Sequence, residues 1–133
     1  MAGWGTEINE LHAFFEAYFL GTSDKSLDRL EHALAPDFTM CGPSGEESDR
    51  KATIKSVKQG FAHTMSLRIE ITEPELLFDD GSILVAAYNE IHHLADRSNY
   101  RRATVMFRHD PDGPNGLRWL RVHESWIDRG LSA

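Results

Sequence analysis

The run Gly116 to Ile127, Gly-Leu-Arg-Trp-Leu-Arg-Val-His-Glu-Ser-Trp-Ile, constrains the fold more than any other. Alternation puts Leu120, Val122, Glu124 and Trp126 on one face of a strand, and Trp119, Arg121, His123 and Ser125 on the other. Large side chains on both faces need cover on both, which predicts helices on one side and a second subunit on the other. Glu124 then lies among apolar neighbours, where a carboxylate is costly without a partner or a task.

Upstream, the hydrophobic period divides the chain in two. Ile8, Leu11, Phe14, Phe15, Tyr18 and Phe19 recur at helical spacing, so a helix capped by Thr6 is expected to run to about Leu20, where Gly21 ends it. A second helix starts at Ser23 or Asp24, carries Leu27, Leu30 and Leu34, and stops at Pro36. Phe38 to Cys41 reads as a short strand, the Gly42-Pro43-Ser44-Gly45 turn follows, and a third helix begins near Ser48 with Ile54, Val57 and Phe61 on its apolar edge. From Ser66 the period becomes two, giving antiparallel strands over 66–78, 83–94, 98–109 and 117–127. Asp80-Gly81 favours a two-residue hairpin turn, and Pro74 confines its strand to an edge or a bulge.

The 133 residues suit one domain, and the expected layout is α+β in the order α-α-β-α-β-β-β-β: three helices against a curled antiparallel sheet that leaves a pocket. The net charge of −7 argues against a nucleic-acid partner. A single cysteine, Cys41, suits a reducing cytoplasm, and the polar, helically spaced N-terminus resembles neither a signal peptide nor a membrane span.

The element order, Pro36-Asp37-Phe38 before the first strand, Arg102-Ala103-Thr104-Val105 in the fourth and Trp119-Leu120-Arg121-Val122-His123-Glu124 in the last resemble the nuclear transport factor 2-like superfamily, a cystatin-like cone fold that includes SnoaL-like proteins. The last two strands are also similar to the association domain of calcium/calmodulin-dependent protein kinase II, although Ser125-Trp126 stands where that domain commonly has His-Arg. The resemblance implies a homodimer packed sheet to sheet, here through Trp119, Arg121 and His123. It also implies that Tyr88, Glu90, His92, Arg102 and Thr104 share the pocket wall with Glu124 and Trp126.

Which residues meet there depends on the turn at 95–98. A two-residue turn opposes His92 to Arg101 and a longer one opposes it to Arg102; the family pattern favours the longer. Glu90 and Glu124 admit two readings, as general acid or base with His92 as a proton relay, or as ion-pair partners of Arg102. Phe14, Phe15, Tyr18 and Phe19 are expected to be mainly core, with one or two at the cavity mouth; Tyr18 is assigned to the ligand. Neighbouring strand residues point to opposite faces, so His92 and His93 cannot share an ion, and neither a metal nor a cofactor is expected. Two functions follow: an enzyme that isomerises, dehydrates or cyclises a small, largely apolar substrate by proton transfer, or a non-catalytic module that binds a ligand or a protein.

Overall fold

A computed structural model describes residues 3–127. The chain runs α1 (Trp4–Leu20), α2 (Asp28–Ala33), β1 (Leu34–Cys41), β2 (Glu47–Asp49), α3 (Arg50–Gln59), β3 (Leu67–Asp79), β4 (Ile83–Leu94), β5 (Ser98–His109) and β6 (Leu117–Trp126), with a 3-10 turn at Pro114–Gly116. The α+β class and the three helices are as expected.

Four local features differ from the expectation. Gly3 rather than Thr6 precedes α1. The second helix is only Asp28–Ala33, because the chain turns extended at Leu34 and carries Pro36 inside β1. Glu47–Asp49 forms a strand that has no apolar alternation to announce it, and Asp49 then caps α3 by accepting from the Ala52 amide at 2.8 Å. Gly81-Ser82, one residue later than Asp80-Gly81, make the β3–β4 turn, flanked by the Asp80–Ile83 backbone bond.

The sheet has the order β2-β1-β6-β5-β4-β3. It is mixed rather than wholly antiparallel, since β1 runs parallel to β6. A parallel pair needs a long crossover, and α3 with the β3–β5 meander supplies it. Pro74 lies in the edge strand β3, at a register shift between Thr72 and Glu75 where Glu73 has φ of 52°. Both readings of that proline hold.

A second irregularity decides the face of β6. Val105 pairs with Val122 and Met106 with Arg121, but Phe107 pairs with Trp119, leaving Leu120 as an extra residue. Trp119 therefore turns into the core at 1% exposure and packs on Phe107 at 4.8 Å between ring centres. The expected placement of Trp119 on the outer face, and of Leu120 on the inner, is overturned by this bulge. Arg121 and His123 remain outside, Arg121 bound to Thr39 and Glu47.

Ile8 and Leu11 of α1 and Leu30 of α2 pack on Leu84, Tyr88, Val105 and Phe107. The first turn of α1 is anchored by Glu7, which is fully buried. Arg29 donates to both its oxygens at 2.6 and 3.1 Å, the Trp119 indole at 2.8 Å and the Asn115 amide at 2.9 Å. One carboxylate thus ties both first helices to β6 and to the loop before it. Replacing Glu7 by Ala leaves the Trp119 indole without its acceptor and Arg29 and Asn115 with Glu10 alone, and a loss of about 3 kcal/mol is expected in urea unfolding; a loss below about 1 kcal/mol would show the anchor to be dispensable.

Candidate functional site

α1 and α3 stand off the inner face of the sheet beyond the packed core, and a cavity of about 380 Å³ remains between them. Leu11, Phe15, Phe19, Phe38, Val57 and Val122 make much of its wall, while His12, Glu90, His92, Arg101 and Glu124 bring charge to it. Glu90 and Glu124 are each only 5% exposed, so the acids point into the hollow and not into bulk water.

Register explains the grouping. Leu94 and Arg97 are joined by a 2.7 Å backbone bond, so the β4–β5 connection is a two-residue turn at Ala95-Asp96, one residue earlier than the two-residue alternative and shorter than the longer turn favoured from the sequence. His92 lies opposite Asn99, Glu90 opposite Arg101, and Tyr88 opposite Ala103, which in turn faces Glu124. The side-chain-poor Ala103 leaves Tyr88 and Glu124 on either side of it on the inner face. Arg101 takes the place expected of Arg102. Arg102 and Thr104 point to the outer face, Arg102 donating to Asn89 at 3.1 Å and to Glu75 at 3.2 Å and Thr104 standing exposed.

Helix α1 supplies the partner that sequence reasoning missed. His12 sits in the apolar stripe between Leu11 and Phe15 and is 5% exposed. Its Nδ1 donates to the Ile8 carbonyl at 2.7 Å, and its Nε2 lies 3.1 Å from Glu90 Oε1. The second Glu90 oxygen meets His92 Nε2 at 2.5 Å. A polar residue inside a buried stripe is the signal that could have found His12. The other residues expected at the site divide. Tyr88 is buried on the cavity wall, whereas Tyr18 is packed away from it, against Phe14 and Phe61. Phe15 and Phe19 are the helix-one aromatics that reach the cavity. Trp126 is half-exposed beside it, with Arg101 4.8 Å over its ring and its N–H donated to Ser44 at 3.0 Å. His93 faces the other way, toward Glu70 and Ser98.

These contacts separate the two acids. Burial alone would raise Glu90, but His12 and then His92 outweigh it and hold the carboxyl well below the usual range. His12 is affected in mirror image: burial lowers it, yet the charge of Glu90 and the hydrogen bonds to Glu90 and Ile8 leave it raised. Glu124 goes the opposite way, pushed up to about 7 by burial and by the neighbouring Glu90 charge against the pull of Arg101 and His12. Burial and the two carboxylates keep the Tyr88 hydroxyl protonated. One acid is held well below the usual carboxylate range and the other is poised near neutrality, a pairing that suits proton transfer.

The model of the SnoaL-like domain matches residues 11–126. The chain belongs to the SnoaL-like domain family. Its cone fold is that of the nuclear transport factor 2-like superfamily, as the solved structures bear out. An NTF-2 like protein of unknown function from Pseudomonas aeruginosa is 28% identical over 94% of this chain and 98% of its own, with a TM-score of 0.87. The calcium/calmodulin-dependent protein kinase II hub of S. rosetta is 15% identical, covers 95% of this chain and 96% of its own, and has a TM-score of 0.71. A candidate ketosteroid isomerase from Parabacteroides distasonis is 19% identical over 90% of this domain and 88% of its own, at 0.60. The last two likenesses are of fold alone. No curated protein matches the chain. Among the described residues no helix of this SnoaL-like domain is long and apolar enough to cross a membrane.

The raised Glu124 has a measurable consequence. Its folded carboxyl holds its proton to about 7 against an ordinary value of 4.5, so burial of Glu124 favours folding below 4.5 and that advantage is lost as pH rises through 7. The Glu124→Gln variant lacks this loss. Its stability relative to wild type is expected to climb by about 3 kcal/mol between pH 4.5 and 8 in urea unfolding; a difference independent of pH would place the Glu124 carboxyl in an ordinary, solvated state.

Proposed function

We propose that this SnoaL-like domain binds a small, largely apolar molecule in its cone and moves a proton on it without a cofactor, with Glu124 as the acid–base group. The observation that carries this reading is a carboxyl poised at about 7 on the wall of a 380 Å³ cavity, beside an acid that two imidazoles keep ionised. Glu90 serves as the fixed negative charge that raises Glu124, His12 holds it, and His92 passes protons toward the cavity mouth. In an isomerisation of a β,γ-unsaturated ketone, the Glu124 carboxylate takes the α-proton, the dienolate oxygen accepts a hydrogen bond from Tyr88, and the Glu124 acid returns the proton at the γ-carbon. Likeness to a candidate ketosteroid isomerase supports the fold's suitability for such chemistry. Of the ligand contacts expected from the sequence, Tyr88 lines the cavity, Trp126 is outside its lining and stacks on Arg101, and Arg101 stands in for Arg102 in this reading.

The second reading is an association module, dimeric through the outer face of the sheet and located in the cytoplasm. Phe78 and Met106 are exposed there at 52% and 37%, flanking Val85 in register, and the fold is shared with a kinase hub. Both roles fit one molecule, since the cavity and that face lie on opposite sides of the sheet. Turnover of β,γ-unsaturated ketones to their conjugated isomers, followed by absorbance across pH 5 to 9, tests the first reading. The wild type is expected to show a limb near 7, and Glu124→Gln is expected to slow turnover by roughly 10²–10⁴ and to abolish that limb. Unchanged turnover in the Gln variant would remove Glu124 from the chemistry.

A further inference from the structure

Arg101 is poorly satisfied for a charged group on a cavity wall. Its Nη2 donates to Asn99 Oδ1 at 2.9 Å, but its Nη1 reaches Glu124 Oε1 only at 3.4 Å. Its Nε is the one buried side-chain nitrogen or oxygen among the described residues that has no hydrogen-bond partner. A guanidinium offers five N–H donors in a plane whose edge matches a carboxylate. The Trp126 ring covers one face of that plane at 4.8 Å. An acceptor is missing.

The surroundings say what kind. Around the guanidinium the cavity is largely apolar, with Leu11, Phe15, Phe38, Val57 and Val122 on its walls. The titratable and charged groups around the cavity with Glu124 are His12 from α1, Glu90 and His92 from β4, Arg101 from β5 and Glu46 from the turn before β2, with the neutral Tyr88 beside them. His12 and Glu90 are paired with one another at 3.1 Å. Arg101 has Glu124 as its carboxylate, a distant partner at 3.4 Å that gains a proton close to neutrality. An incoming anion can therefore take the guanidinium over, provided that Glu124 becomes neutral as it does so.

We propose that the cavity takes an apolar monocarboxylate whose carboxylate docks on Arg101, while Glu124 takes one proton from solvent and releases its hold on the guanidinium. Charge is conserved inside the cone, because the ligand's negative charge replaces that of Glu124. The ligand also arms Glu124 as an acid. This inference rests on reading the cavity as a small-molecule site, but it requires no turnover.

Calorimetry with octanoate, 4-phenylbutyrate and the neutral octanamide, between pH 6 and 8.5 in buffers of different ionisation heat, tests it. Both carboxylates are expected to bind at least about tenfold more tightly than the amide. Uptake of close to one proton per ligand is expected at pH 8 and little at pH 6, with affinity falling up to about tenfold per pH unit above 7. In Glu124→Gln the proton uptake and the pH dependence vanish while the carboxylates bind as tightly as to wild type or more so, an outcome that loss of folding cannot mimic. Arg101→Gln is expected to lose about tenfold or more, and Arg101→Lys, which keeps the charge without the fork, to fall between. Equal binding of octanamide and octanoate, wild-type affinity in Arg101→Gln, or binding without proton uptake at pH 8 overturns the inference while leaving a small-molecule site intact. Failure of all three probes to bind overturns both.

Discussion

A carboxylate beneath an apolar helix is tolerable only when something neutralises it, and α1 meets that requirement twice. At its first turn Glu7 is buried against Arg29, Trp119 and Asn115. One turn later His12 reaches down to Glu90 on the sheet. Removing one partner of such a pair leaves the other charged and dry, which costs several kcal/mol. Helix and sheet are therefore held in one relative position by contacts that have few substitutes, and the cavity is the space left beyond them.

The second contact is also what separates the two acids. A lone buried glutamate beside another would share its difficulty with it, and both would titrate high. With His12 and His92 on Glu90, the negative charge is settled on that residue, and Glu124 alone carries the raised proton affinity. Arg101 moderates the effect from 3.4 Å without cancelling it. The chemistry available to the cone follows from this asymmetry, and it is built from four elements: α1 for His12, β4 for Glu90 and His92, β5 for Arg101 and β6 for Glu124.

Much of this was legible before any coordinates. The switch from a period near 3.6 to a period of two marked the boundary between helices and meander, and the four long strands fall within one or two residues of their expected bounds. Glu90, Glu124, His92 and Tyr88 are on the cavity wall as expected. Arg102 and Thr104 were lost to a turn shorter than the one favoured: His92 meets Asn99 instead of Arg102, and a shift of register by an odd number of residues moves every side chain of a strand to its other face. Trp119 was lost to the bulge at Leu120, and Tyr18 to Phe14 and Phe61, which claim it for the core. His12 was legible in principle as the one polar residue within its stretch of the helical stripe.

Local sequence determined the elements of this protein, their order and the alternating faces of the meander, because periodicity and turn chemistry act between residues close along the chain. It also determined that a carboxylate would sit among apolar neighbours near the C-terminus. Only the tertiary structure decided which basic groups meet the acids. His12 and Glu90 are 78 residues apart in the chain, and Arg101 and Glu124 are 23 apart. Their encounters depend on hairpin register, on one bulge and on the seat of α1, none of which leaves a periodic trace in the sequence.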